Sequence, residues 1–472
     1  MKLFRRTLSA DCSTPVQVFS GLRAQQEACF LFESAEGGEH WGRYSIIGFD
    51  PAAIAVEHDD ALHMRQRDGS EQRMAMDMQA WLRQEVIAQA IPEGGEDLPF
   101  SGGAVGYFAY DMVYHFEEGL KAPAVDGNTA AYMLIDRFVI LDSLHGVMHI
   151  CVLEDEQAHA NPLLDSIEHA ITHAPALPAM RLDVDTNIQP PTPHMAQADY
   201  EAMVRQAKSY ILAGDIFQVV LSQRFSAPLQ CDPLAIYRAV RHINPSPYLF
   251  YMHVGDTTLI GSSPEALVKK NGKKAIVRPI AGTRPRGRTH AEDVALEHEL
   301  LADDKEIAEH VMLMDLGRND LGRVCDYGSV KVSESMIVER YSHVMHIVSE
   351  VQGSLRDDVD ALDLLAATFP AGTLSGAPKI RAMQIIHEQE PEPRGPYGGC
   401  IGHISYGGHD MDTAIIIRTA VIQDDTLYVQ AGAGIVADSV PELEHQECVN
   451  KASAMFRSVA LAQSQSRKGT PS

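Results

Sequence analysis

Four charged side chains, three in one short stripe and the fourth far away in the sequence, have the types and spacing to hold a hard cation or an anionic substrate. Glu309 lies in EHELLADDKEIAEHVMLMDLGRNDLGR (297–323), with Met312 and Leu313 one turn further along the same helical face. A carboxylate aimed at an apolar interior is costly unless a cation or several donors compensate it, and a metal ion would do so. A neighbouring Lys or Arg would serve equally, and most such carboxylates are structural. Glu444, Glu447 and Lys451 stand at i, i+3 and i+7 in VQAGAGIVADSVPELEHQECVNKASAM, so they form one stripe on a helix. Alone the stripe reads as a solvated salt-bridge ladder. Set against Glu309, it offers a second carboxylate for an ion such as Mg²⁺, which takes one or two protein carboxylates and fills its octahedron with water and substrate oxygens.

The elements that must position these groups are partly legible. Residues 297–323 read as one helix with no Gly or Pro before Gly317, and only Asp315 is polar between Val311 and Leu316, which predicts a second half buried nearly all round. Ser439 and Glu442 resemble a capping box, with Pro441 in the first turn. Asp199 reads as an N-cap for a helix carrying Met203, Val204, Ala207, Tyr210 and Ile211, and Gly214 as its end. The following strand, IFQVVLSQRF, puts Gln218, Val220, Ser222 and Arg224 on one face and Phe217, Val219 and Leu221 on the other. A buried glutamine there needs hydrogen-bond partners and can face a pocket. In TFPAGTLSGAPKIRAM (368–383), small residues precede a helix start, so N–H groups near Gly376 and Ala377 could cradle a carboxylate. The lysine and hydroxyl spacing is not that of a Walker loop, and Gly432-Ala433-Gly434 lacks the βαβ setting of a dinucleotide fingerprint.

Bulk properties narrow the class. A chain of 472 residues, 45% hydrophobic, can bury a large core or two. The net charge of −25 argues against nucleic-acid binding, which relies on clustered Lys and Arg. Seven cysteines without a C-x-x-C pair fit a reduced, cytoplasmic chain, and no apolar run is long enough for a signal peptide or a membrane span. Residues 29–51 read as a hairpin, with Glu33 and Ser34 where its first strand ends. Five prolines between Thr172 and His194 mark a boundary, dividing the chain into 1–175 and 195–465.

SPEAL (263–267), PIAGTRPRG (279–287), DKEIAEH (304–310), YSHVMH (341–346), GTLSGAPK (372–379), DTAIIIRTA (412–420), QAGAGIV (430–436) and the E-x-x-E-x-x-x-K pattern together resemble the chorismate-utilising enzymes, over nearly the whole chain. The resemblance implies an α/β (α+β) fold of large antiparallel sheets packed as a sandwich with helices outside. It implies Mg²⁺ on Glu309 and Glu447, with Glu444 in support, gripping the ring carboxylate of chorismate. Arg418, on the DTAIIIR strand, and the N–H groups of Gly432 and Gly434 would hold the enolpyruvyl carboxylate. Lys451 would contact the ring carboxylate, and Thr283, Gly376 and Ala377 would complete the substrate site.

Glu265 resembles the general acid that protonates the departing ring hydroxyl, since hydroxide is too poor a leaving group to go unaided. Family members that add water carry lysine where this chain has Gln218. Those that make aminodeoxychorismate through a covalent intermediate carry lysine where it has Ala281. Their absence implies direct attack by ammonia, and His346 resembles the histidine assigned to the later loss of pyruvate that yields anthranilate. His343 is a second candidate for that step, and His403 stands where the family often has tyrosine, at the pyruvyl end. The resemblance further implies a tryptophan-feedback site of Glu33, Ser34, Pro247 and Tyr248. A separate glutamine amidotransferase subunit is implied too, in a heterotetramer, since this chain offers no glutaminase cysteine. The alternatives are an aminodeoxychorismate-forming enzyme, which keeps the pyruvyl ether, and a catalytically silent tryptophan-binding regulator.

Overall fold

The strand Cys29–Glu33 shows how the molecule is layered. Successive side chains of a strand point to opposite faces, and here Phe30 and Leu31 enter two different cores, so the strand must be covered on both sides. The computed structural model describes residues 1–472 except 25, 27, 35–41, 60, 118, 121–126, 183–189, 342, 343 and 467–472. It places this strand in one of two twelve-stranded sheets. Phe30 and Phe250 of the first sheet share a core with Tyr107, Tyr132 and Val268 of the second. On the outer face of the first sheet, Leu31, Ile47, Ile150 and Val429 pack with the helices Pro15–Arg23, Gln157–Thr172, Pro233–Ile243 and Pro441–Ser466. Phe19, fully buried there, meets Tyr251 edge-on at 5.1 Å. Burying one such side chain is worth about 1.5–3 kcal/mol. The result is the expected sandwich of antiparallel sheets with helices outside.

The Pro-rich stretch does not separate two sheets. In the first sheet Cys29–Glu33 pairs with Tyr248–Val254, and in the second Gly103–Phe108 pairs with Cys400–Ser405. Segments 1–175 and 195–465 therefore contribute strands to both sheets and meet along a hydrogen-bonded seam in each.

Three local expectations need correction. Residues 297–323 form two helices, His290–Leu301 and Asp304–Gly322, because Asp303 caps the second by accepting from the N–H groups of Lys305 and Glu306. Its second half is not buried all round: His310, Leu313, Asp320 and Leu321 face inward, while Met312, Met314 and Leu316 are half-buried and Asp315 is exposed. This helix lies against the sheet and helix Ala361–Thr368. Asp199 is not a cap but a first-turn acid in Gln197–Ala213, favourable to the helix dipole, whereas Gly214 ends that helix in the left-handed region as expected. The expected capping box at Ser439 and Glu442 is absent too, since Val440 takes the cap position, its carbonyl accepting from the N–H groups of Leu443 and Glu444, while Ser439 Oγ accepts from Val436 N.

Inside the sandwich, Arg394 is buried with Glu390. Its guanidinium bonds Glu390 at 2.6 and 2.8 Å and the carbonyls of Leu374 and Val220 at 2.6 and 2.7 Å. Glu390 also accepts from Ser222 N and Oγ at 2.8 and 2.9 Å. Removing one member of a fully bonded buried pair strands the other's charge, so Arg394→Ala is expected to cost about 3–5 kcal/mol in urea unfolding. A loss under 1 kcal/mol would show that solvent reaches the pair. All seven cysteines are free thiols, and among the described residues no helix is long and apolar enough to cross a membrane.

Candidate active site

Alternation along Gln218–Pro228 sends Gln218, Ser222 and Arg224 toward polar partners, as their spacing predicts. Gln218 is buried and its Nε2 donates to Glu309 Oε1 at 3.1 Å. Its Oε1 is also buried and has no hydrogen-bond partner among the described residues. The amide fits because Gly434 lies on the neighbouring strand, where a Cβ would come within 2.5 Å of Gln218 Nε2. Gly376 is equally constrained: its φ is +137° and a Cβ would meet Gln218 O at 2.1 Å. Gly376 and Ala377 pair with Val219 and Gln218 as a short strand, so their backbone forms a wall of the site before helix Lys379–Gln389 begins.

The helix stripe approaches from the opposite side. Lys451 Nζ donates to Gly432 O at 2.9 Å and pairs with Glu447 at 2.7 Å. Glu444, one turn before Glu447, is pushed up by burial first; the Ser439 hydroxyl opposes this, Glu447 adds to it, and the Lys305 charge also reaches it. Lys305 is one turn before Glu309, and Glu309 is bonded by Gln218, whose strand pairs with the Gly432–Gly434 strand that Lys451 contacts. Among the described residues no three His, Cys, Asp or Glu side chains form a ready-made metal cage. Two separated carboxylates suit Mg²⁺, which leaves most of its shell to water and substrate oxygens.

Glu306 shares the face of Glu309. Burial raises its pKa and the Glu309 charge adds to this, while Arg284 opposes at 3.3 Å. Arg284 also binds Glu299 and Asp303, which fixes the PIAGT strand against both helices.

A second group lies around Arg418. Glu265 sits between the strands Thr257–Ser263 and Ala266–Asn271, buried, and its two carboxyl oxygens are each 3.2 Å from Thr373 Oγ1. Burial pushes its pKa up to about 8, against the opposing Thr373 hydrogen bond and the Arg418 charge. His346 is buried across a register pair from Thr283. Its Nδ1 is 3.0 Å from both Gly282 O and Thr283 Oγ1. A carbonyl can only accept, so Nδ1 carries the hydrogen and the neutral ring holds its lone pair on Nε2. Burial lowers the His346 pKa; Gly282 opposes this and Arg418 adds to it. Gly282, at φ +71°, bulges the strand at Ala281 and Thr283 and turns its carbonyl to the imidazole. Arg418 lies just beyond the strand Asp410–Ile415 rather than on it, in a bend at φ +51°. That region costs a non-glycine residue about 1–2 kcal/mol and is found at functional sites.

The third constellation occupies the seam of the first sheet. Glu33 stands opposite Leu249 in register, so Ser34 and the pair Pro247 and Tyr248 lie at the same end of the strands. The Glu33 carboxylate is buried and bonded by Tyr237 at 2.5 Å and Arg241 at 3.2 Å. Ser34 Oγ is buried without a partner among the described residues. Tyr248 Oη donates to Asp412 of the second sheet at 3.0 Å. His403 packs on Phe100 at 5.2 Å and pairs with Asp412 in register, which places it beside this seam rather than with Glu265 and His346. His343 is outside the described residues. Sequence reasoning missed Thr373, Tyr237, Arg241 and Asp412. Thr373 and Asp412 lay in recognised motifs, GTLSGAPK and DTAIIIRTA, where the backbone and Arg418 drew attention instead of these side chains.

A sequence model described as chorismate binding enzyme matches residues 27–457, and the chain belongs to that family. Within it, the chain is 47% identical over 473 residues to anthranilate synthase component 1 of Pseudomonas aeruginosa, spanning 96% of this chain and 94% of that one. It is 45% identical to anthranilate synthase component 1 of Acetivibrio thermocellus, spanning 96% and 94%. The crystal structure of anthranilate synthase component I from Streptococcus pneumoniae TIGR4 superposes with a TM-score of 0.78 at 38% identity, covering 89% of this chain and 95% of that one. MenF, the menaquinone-specific isochorismate synthase of Escherichia coli, shares the fold with a TM-score of 0.71 at 20% identity, covering 97% and 94%.

Proposed function

We propose that the chain is the chorismate-converting subunit of an anthranilate synthase: chorismate and ammonia give anthranilate and pyruvate. The observation that carries this reading is the 47% identity over nearly the whole chain to an anthranilate synthase component 1, and it is supported by the buried carboxyl of Glu265 on Thr373 and the imidazole of His346 on Gly282 O and Thr283. Glu309 and Glu447 would hold Mg²⁺, which when bound supplies charge neutralisation and alignment at the ring carboxylate. Lys451 stands beside the same carboxylate, while Arg418 and the N–H groups of Gly432 and Gly434 hold the enolpyruvyl carboxylate. Thr283, Gly376 and Ala377 complete the walls.

Ammonia attacks the ring carbon with its own lone pair, so Gln218 need only position it, and Ala281 offers no competing amine. Glu265, protonated, gives its proton to the ring hydroxyl, which leaves as water. Nε2 of neutral His346 then takes a ring proton as the ether bond breaks and the ring becomes aromatic, and the departing enolpyruvate takes that proton at its methylene carbon to become pyruvate, restoring the neutral imidazole. Incubating the protein with chorismate, an ammonium salt and Mg²⁺ tests the reading. Blue anthranilate fluorescence with equimolar pyruvate is expected. A product that retains the pyruvyl ether would assign the chain to the aminodeoxychorismate reaction, and no turnover would leave a silent regulator. The enzyme is placed in the cytoplasm, its thiols reduced, working with a glutamine amidotransferase subunit in a heterotetramer.

The seam is proposed as a tryptophan-feedback site, supported by the unpartnered Ser34 hydroxyl and by the meeting of Glu33, Pro247 and Tyr248. Occupancy would favour a less active arrangement of the two halves. Millimolar tryptophan is expected to slow turnover in the wild type and much less in Ser34→Ala, with the uninhibited rate retained. A wild-type rate unmoved by tryptophan would leave Glu33 and Ser34 as structural residues.

A further inference from the structure

A small cavity of about 40 Å³ adjoins Glu265. Helix Asp304–Gly322 turns Leu313, Leu316, Gly317 and Asp320 toward it, at positions i, i+3, i+4 and i+7 of one stripe, and Asp320 is the polar member. Glu265 and its partner Thr373 line it as well, whereas Gln218, Glu309 and His346 do not. It is therefore an annex to the acid, set apart from the ion-holding and elimination residues. Leu316, Gly317 and Arg278 border it and are half-buried, and Arg278 bonds exposed Glu334 at 3.1 Å, so the annex reaches toward solvent.

One water needs about 10–15 Å³ and two to four polar partners, and an apolar hole stays dry. This one has room for more than one water. It offers the Glu265 carboxyl, the Thr373 hydroxyl and the Asp320 carboxylate, which Lys379 holds at 2.8 Å. Thr373 Oγ1 is 3.2 Å from both Glu265 oxygens. A single hydroxyl hydrogen serves only one of them, so the other contact suits the carboxyl's own O–H, and a proton can be handed across in either direction.

The proposed chemistry creates a use for such an annex. Once Glu265 has given its proton to the departing hydroxyl, a carboxylate is left buried beside a substrate that carries two more, and burial and like charge both oppose it. The ring fills the substrate side until the products leave. Resting on the general-acid reading above, we infer that the cavity holds a short file of water that re-protonates Glu265 from behind, through Thr373. Thr373 Oγ1 gives its hydrogen to the carboxylate and takes one from the adjacent water, which solvent replenishes. The proton shed by the ring nitrogen balances the one taken up, and nothing is oxidised or reduced.

The test narrows the annex at Gly317, where an added Cβ would stand 3.0 Å from Val277 Cγ2, another lining residue. Gly317→Ala intrudes by one methyl group and Gly317→Leu by a longer side chain, and a helix interior suits both residues. With chorismate, ammonium salt and Mg²⁺ near neutral pH, the first anthranilate per site is expected at the wild-type rate in both variants. Steady-state turnover then falls more than tenfold in Gly317→Leu and less steeply in Gly317→Ala, and heavy water slows this later phase more than it slows the wild type. Adding Val277→Ala reopens the space and returns the steady state toward wild type. Steady-state rates within twofold of wild type, in whichever of the two single variants urea unfolding shows to be folded, overturn the inference, since Glu265 would then be reset from the substrate side. So does an equal loss in the first and later turnovers, which marks a wall that only positions Glu265. No anthranilate from the wild type, or full turnover in Glu265→Gln, overturns the underlying reading instead.

Discussion

Glu265→Gln is expected to lower ammonium-dependent turnover by about 10²- to 10⁴-fold, the range contributed by a positioned general acid, with little change in KM. The amide keeps the shape of the carboxyl and its contact with Thr373, but it has no proton to give a departing hydroxyl. The pH profile separates this role from a packing role. Burial pushes the Glu265 pKa up to about 8, so the acid form is present below that value and the wild-type rate falls as pH rises through it. In Glu265→Gln that alkaline limb disappears from the residual rate. Stability carries the same sign. A carboxyl whose folded pKa is raised contributes fully below its unfolded pKa and loses that contribution as pH rises through the folded one, so Glu265→Gln should keep more of its melting temperature above pH 8 than the wild type does. A residual rate with the wild-type alkaline limb would assign the acid to another group.

The companion experiment replaces Glu309 with Gln. Its expected cost is on the order of 10³-fold in turnover, comparable to removing a preorganised electrostatic contact to the reacting group. The fold should survive, since the new amide oxygen can still accept from Gln218 Nε2, and urea unfolding checks that it does. Chelating divalent ions should bring the wild type down to the level of Glu309→Gln and leave the variant almost where it was. A Mg²⁺ titration adds a binding readout, the variant needing far more ion for half-maximal rate. Glu447→Gln belongs in the same experiment, with a smaller loss expected because this carboxylate is about half exposed and already shares Lys451. An undiminished rate in Glu309→Gln would sink the proposed ion site.

What could be read in advance followed the reach of each interaction. Gln218 was assigned to an inward polar face because strand alternation is local, and Gly214 to a helix end because the left-handed turn favours glycine. The sandwich, Glu265 and Arg418 came from ordered motifs, not from periodicity. The helix break at Asp303 was missed because an apolar count over 297–323 weighs composition and overlooks one competing cap. Thr373, 108 residues from Glu265, and Arg394, 174 residues from Val220, leave no local trace of their partners. Such contacts exist only once the sheets are assembled. The half-exposure of Met312 and Leu316 is a further case, since an apolar run does not show which side of its helix other elements will cover.

The interleaving of both halves in both sheets has a bearing on any attempt to trim the molecule. Excising 1–175 would strip Tyr248–Val254 of its neighbour Cys29–Glu33 and Cys400–Ser405 of its neighbour Gly103–Phe108, baring two rows of unsatisfied amides and carbonyls at once. The remaining catalytic portion would be prone to stick to itself through those raw edges. Detachment of the front half as a separate unit is therefore foreclosed by its masonry: both halves are laid in the same courses.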